Sequence, residues 1–272
     1  MLRTLKLAFR DLLEATSFGA ALYAWRRRRR KQAQMSRWIA AGKPPPPPHA
    51  VKADVLRRYA AAYHLRVLVE TGTQRGNMLA ELKDEFVRLY SVEIVPEVFA
   101  AARRRFRHDP QIELFCGDSA TVLPQIIARL DEPALFWLDG HHFPQKSPSG
   151  KQVTPILAEL AHLFAAPRLG HVVVIDDIRL FEESTGYPAL ATVLDYVNQD
   201  DGWDTLIEDD SLRLTPRASV GRRVEMTPES SCDLGSTVCE RRRHLPADAA
   251  TPIPSIDHRH LVTSEAAAAA GD

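Results

Sequence analysis

Acidic residues close a series of short apolar runs along this chain. Glu70 ends RVLVE, Glu93 ends RLYSVE, Asp139 ends ALFWLD, and Asp176 with Asp177 ends HVVVIDD. Glu70 leads directly into Thr71-Gly72-Thr73-Gln74-Arg75-Gly76. Glycines at 72 and 76 permit a tight turn and a close approach of backbone to a ligand at the amino end of the next helix. Glu93 follows about twenty residues later, the distance at which a carboxylate can accept both hydroxyls of a ribose. A third run ends in Cys116-Gly117-Asp118-Ser119, a Gly-Asp turn able to offer a carboxylate to an adenine amino group and an amide to the ring. Together these spacings point to a nucleoside cofactor.

The elements that must position these residues alternate regularly. Strand-like runs cover Arg66–Glu70, Arg88–Glu93, Gln111–Cys116, Ala134–Asp139 and His171–Asp176. Helix-like stretches cover Asn77–Glu85, Pro96–Phe106, Ser119–Leu130, Thr154–Phe164 and Tyr187–Asn198. Apolar strands without polar alternation, each followed by a helix, predict a parallel sheet covered on both faces. Asp204–Glu208 and Ser211–Thr215 flank Asp209-Asp210 and predict a closing antiparallel hairpin. The expected class is therefore α/β: a doubly wound, Rossmann-like, mostly parallel sheet of seven strands. In such sheets ligands bind at the carboxyl ends of the strands, where the acids stand.

Composition divides the chain into three. It has 272 residues with 35 Lys+Arg and 35 Asp+Glu, but residues 1–50 carry +9, residues 51–215 carry −8 and residues 216–272 carry −1. Residues 1–49 read as a basic arm: apolar Leu2, Leu5, Phe9, Leu12 and Leu13 near helical spacing, then Arg26–Lys31, then a stiff spacer of Pro44–Pro48. Residues 50–215 hold the folded domain. Residues 216–272 lack Phe, Tyr and Trp and are expected to be disordered, since they cannot bury enough apolar surface to offset chain entropy. No run approaches the ~18 apolar residues of a membrane span, and no secretory signal pattern opens the chain. The three cysteines match neither a zinc site nor a disulfide framework, so a reducing, cytoplasmic setting is expected. An amphipathic stretch followed by arginines suits peripheral contact with an anionic membrane through residues 1–38. Sequence-specific nucleic-acid recognition is not indicated.

The loop ETGTQRG lacks the first glycine of the G-x-G-x-x-G dinucleotide fingerprint, which disfavours an NAD-dependent oxidoreductase. With SVEIVPE, CGDSATVLP, FWLDGHH, TPILAEL and VIDDIRLF in this order, residues 50–215 resemble the class I S-adenosylmethionine-dependent methyltransferases, in particular the branch of the macrocin and mycinamicin sugar O-methyltransferases. The resemblance implies that Glu70, Gly72, Thr73 and Gly76 line the methionine end of S-adenosylmethionine, Glu93 its ribose, and Asp118 with Ser119 its adenine. It also implies that Asp139, Asp176 and Asp177 hold Mg²⁺; oxygen-only ligands suit that ion, and three gathered carboxylates need a compensating cation or protons. Asp139 would join His141 or His142 at the catalytic centre, a histidine taking the proton of a hydroxyl on a sugar-containing or other small acceptor. His142-Phe143-Pro144-Gln145 departs from the relatives' pattern and implies a different acceptor pocket. The alternative is a non-catalytic, methyltransferase-like binding module acting through its basic arm. Oligomeric state is not legible in the sequence.

Overall fold

The computed structural model describes residues 17–140 and 154–217. Seven strands run β1 (Val67–Thr71), β2 (Arg88–Glu93), β3 (Ile112–Cys116), β4 (Ala134–Leu138), β5 (Val172–Ile175), β6 (Trp203–Glu208) and β7 (Ser211–Pro216). They form one sheet in the order β3-β2-β1-β4-β5-β7-β6. The first five are parallel, and β7 lies antiparallel to both β5 and β6. The α/β class and the closing hairpin are as the sequence predicts. Strand order reverses between β1 and β4, so the carboxyl edge there is the topological switch point.

Helices α3 (Asn77–Leu82), α4 (Pro96–Arg105), α5 (Ser119–Ile127), α6 (Ile156–Ala165) and α7 (Leu190–Asn198) follow the expected stretches to within a few residues. Because side chains alternate across a strand, successive residues of each central strand feed opposite cores. Val67, Val69, Phe136, Leu138, Val173 and Ile175 meet Leu123, Leu160 and Val193 of α5, α6 and α7. Leu68, Leu135, Trp137, Val172 and Val174 meet the other face, with Leu79 and Leu82 of α3. Both faces are dry, which is why β1, β4 and β5 carry no polar alternation. At the edge β6 alternation gives way to exposure, and Asp204, Thr205 and Glu208 make that edge a poor template for pairing.

Two elements precede β1: α1 (Ser17–Ala40) and α2 (His49–Tyr63). The sequence reading named no helix over 49–63, although Pro48 precedes it and Val51, Val55, Leu56 and Tyr59 fall on a helical spacing. Its Ala53, Leu56 and Tyr59 complete the second core. Helix α1 does not stand apart from the domain: Lys31 pairs with Glu81 of α3, and buried Trp38 donates its indole N–H to the Pro44 carbonyl at 2.8 Å. The proline run expected as a spacer is likewise packed down at Pro47, which is buried. Arg26, Arg28, Arg29 and Arg30 are exposed on α1. No helix among the described residues is long and apolar enough to cross a membrane. Residues 218–272, including Cys232 and Cys239, lie outside the described residues, as do residues 1–16.

One core histidine carries a pH consequence. His171, just before β5, accepts the Ala134 N–H on Nδ1 at 3.0 Å and packs edge-on to Phe136. Burial lowers its pKa from 6.5 to about 4. Between those values the unfolded chain takes up a proton that the folded chain refuses, so stability is full above pH 6.5 and falls as pH drops towards 4. The loss predicted for this residue is about 3 kcal/mol at most. Urea denaturation across that range should show the slope in the wild type and a flatter one in His171→Asn; an unchanged slope would assign the pH response to other groups.

Candidate active site

Close backbone contact fixes the junction of β1 and β4. Gly72 has φ +91°, and a Cβ there would lie 2.4 Å from the Asp139 carbonyl oxygen. The Gly72 and Thr73 amides both donate to the Val92 carbonyl, at 2.9 and 3.1 Å, and Asp139 N–H donates to the Thr71 carbonyl at 3.1 Å. Gly76, at φ +65°, leaves no room for a Cβ beside the Phe106 ring. These glycines let the loop fit closely against its neighbours.

The acids at this edge have different surroundings. Glu70 is 2% exposed and accepts the Ser91 hydroxyl, and Ser91 in turn meets the Thr73 hydroxyl at 2.6 Å. Burial pushes the Glu70 carboxyl up to about 8, against the Ser91 bond and with help from Asp139 and Glu93. Glu93, also buried, accepts the Gln74 N–H at 2.7 Å and the Val95 N–H at 2.9 Å, so it ties β2 to the loop after β1. Asp118 caps α5 by accepting the Ala120 N–H at 3.0 Å, and Ser119 beside it is buried.

Asp139, Asp176 and Asp177 do come together: one carboxylate oxygen from each lies within 4.8 Å of the others. The sequence reading missed what stands among them. Lys52 of α2 pairs with Asp176 and bonds Asp177 Oδ1 at 2.7 Å. Arg179 bonds the same Asp177 oxygen at 2.7 Å and pairs with Asp210 of the hairpin turn. Asp210 also accepts the Arg179 amide at 2.9 Å, anchoring the short helical turn Ile178–Leu180. Burial raises the Asp176 carboxyl to about 7, with Asp139 adding to the rise and Lys52 opposing it. Its Oδ1 is buried without a hydrogen-bond partner among the described residues. Burial raises the Tyr187 phenol to about 12, Asp177 and Asp139 adding to it, which keeps that hydroxyl protonated near the cluster.

As a donor set, three carboxylates suit a divalent ion. Lys52 competes with such an ion for two of them, because the ammonium engages Asp176 Oδ2 and Asp177 Oδ1. Lys52 had no local signal: it belongs to a helix over a hundred residues from its partners in sequence. Arg179 could have been suspected from its place two residues beyond Asp177. His141 and His142 lie outside the described residues.

A cleft of about 290 Å³ opens over this edge, lined by Glu70, Gly72, Thr73, Asp139 and Asp177 among the expected residues. Lys52, Arg179 and His49 line it too. Gly76, Glu93, Asp118, Ser119 and Asp176 stand outside the lining. Desolvation lowers the pKa of His49, Glu81 opposing, which favours a neutral imidazole at the cleft.

What the fold and the edge define is a doubly wound α/β protein with an acid-rich crevice at its switch point. No family model and no curated protein matches the chain. Among solved structures it is similar to the O-methyltransferase TomG from Streptomyces achromogenes, involved in tomaymycin synthesis, in complex with SAM (16% identity, TM-score 0.48, covering 68% of this chain and 88% of that one). It is also similar to an O-methyltransferase from Bacillus cereus in complex with SAH (15%, 0.48, 68% and 89%) and to cofactor-bound Rv0187 from MTB (19%, 0.47, 76% and 94%). These TM-scores all lie below 0.5, so the chemistry has to be read from the residues.

Gly72→Ala is predicted to destabilise the protein by more than about 1 kcal/mol, because it combines a left-handed backbone with a clash against backbone atoms. Gly140→Ala, whose Cβ would sit 3.3 Å from the Thr71 hydroxyl without a positive φ, should cost less. Thermal unfolding of the two variants checks the order.

Proposed function

We propose that this chain is an S-adenosylmethionine-dependent methyltransferase that methylates a hydroxyl on a small, sugar-containing or similar molecule. One observation carries the choice of cofactor: an acid stands at the end of both β1 and β2, and the first amides of the loop after β1 are already engaged. Glu70 and Glu93 stand there, while the Gly72 and Thr73 amides are spent on Val92. A pyrophosphate would meet carboxylates at those strand ends. A ligand that carries an ammonium and a sulfonium at one end meets complementary charge there instead. The resemblance of ETGTQRG and the motifs after it to sugar-methylating enzymes supports the acceptor class.

The cofactor supplies an activated methyl group. Glu93, with both oxygens already fixed by Gln74 and Val95 amides, is held rigidly enough to accept ribose hydroxyls on its remaining lone pairs. Asp118 and Ser119 would hold the adenine, as the resemblance implies. Asp139, lining the cleft, or His141 or His142 takes the acceptor proton. The enzyme contributes alignment and no covalent intermediate. Magnesium assistance, implied by the sequence resemblance, has no step here because Lys52 already engages two of the three carboxylates that would hold the ion.

Isothermal titration should show S-adenosylhomocysteine binding and no NAD binding. Binding of neither would favour a module without the cofactor. Glu70 adds a pH signature: its carboxyl is pushed up to about 8, and a cationic ligand end favours its ionised form. Below pH 8 binding must then release that proton, so affinity should fall as pH drops from 8 to 6, by up to about tenfold per unit. Glu70→Gln should bind more weakly at pH 8 and lose this dependence. A pH-independent wild type would remove Glu70 from the cofactor site.

A further inference from the structure

We propose that Lys52 is the resident cation of the Asp139, Asp176 and Asp177 cluster, occupying the place that the sequence resemblance assigns to magnesium, and that the site works without a divalent metal. The ammonium reaches Asp176 Oδ2 and Asp177 Oδ1 together, bridging two of the three carboxylates. It is held there by its helix. Val51, Ala53, Val55 and Leu56 on either side of it are buried, so the origin of the side chain is fixed by the second core. The lysine side chain itself is only 16% exposed.

The remaining charge is met by a second cation. Arg179 shares Asp177 Oδ1 and is pinned from behind by Asp210. A divalent ion at the cluster would have to share carboxylates that Lys52 and Arg179 already hold, and would stand within a few ångströms of two fixed positive charges in a poorly solvated place. Removing Lys52 reverses the balance: buried carboxylates lose their partner, and the cheapest replacement is a metal.

An ammonium has three N–H donors, and two of Lys52's are engaged by Asp176 and Asp177. Lys52 also lines the cleft, so its third N–H is placed to meet an oxygen bound there. It would then hold the acceptor hydroxyl and favour the developing alkoxide, as an open metal position would. This second role rests on the methyl-transfer reading; the cation role does not.

The test titrates Mn²⁺ into the full-length, cofactor-free protein and reads free ion by electron paramagnetic resonance. Wild type and Lys52→Arg should show no saturable site into the millimolar range. Lys52→Met should gain one site, at least about tenfold tighter than any wild-type binding, and lose it again when Asp176→Asn is added. Stoichiometric wild-type binding that Asp176→Asn abolishes would overturn the proposal, as would a folded Lys52→Met that gains no site. Should Lys52→Met fail to fold, wild type against Asp176→Asn decides alone. No cofactor enters this measurement, so a failure of the methyl-transfer reading leaves its result standing.

Discussion

Carboxylates brought together at the carboxyl edge of a buried parallel sheet repel one another in surroundings that solvate them poorly, and most of the local architecture answers that constraint. Each acid is answered differently. Glu70 holds its proton more tightly than an ordinary carboxyl and leans on Ser91. Glu93 is compensated by two backbone amides, and Asp118 is exposed and spent as a helix cap. Asp176 and Asp177 draw in Lys52, and Asp177 also draws in Arg179. The compensating groups come from α2, from β2 and the loops after β1 and β2, and from the turn after β5, so the charge balance ties those pieces to one place.

Steric constraint acts at the same spot. The contact between Gly72 and the Asp139 carbonyl sets how closely the ends of β1 and β4 approach. The register Thr71↔Leu138 then places Glu70 and Asp139 on neighbouring strand ends, and Leu138↔Ile175 does the same for Asp139 and Asp176. Register and a single side-chain-free position thereby bring the acids within reach of shared cations. Electrostatics alone would have pushed them apart.

What was legible in the chain is what repeats or what closes a repeat. Apolar runs with no alternation gave the parallel strands, and the acids ending them gave the edge, because strand direction alone puts those residues on one side. The hairpin announced itself through Asp209-Asp210, both of which adopt positive φ. Hidden were the partners. Nothing local in the sequence around Lys52 speaks of Asp176, and Glu93 looks like a ribose ligand without revealing that it already serves Gln74 and Val95. The glycines were read correctly as obligatory for a turn, but the atoms they make room for belong to Asp139 and Phe106, contacts that exist only once the sheet and α4 have assembled.

The placement of Lys52 gives the residues before β1 a purpose that composition did not suggest. A cation supplied by α2 is only as well positioned as α2 itself, and that helix begins directly after the proline run. Pro47 is buried and lines the cleft with His49 and Lys52, while the Trp38 indole binds the Pro44 carbonyl. Lys43 reaches Asp209 at 3.4 Å, next to the Asp210 that holds Arg179. Segment 38–52 thus carries one cation of the cluster and reaches the hairpin turn that holds the other. Prolines stiffen that connection, because a chain with few accessible conformations gives up little entropy when α1 and α2 both dock. The segment that composition marks as a spacer leads, in the folded protein, directly into the helix that carries Lys52 to the cleft.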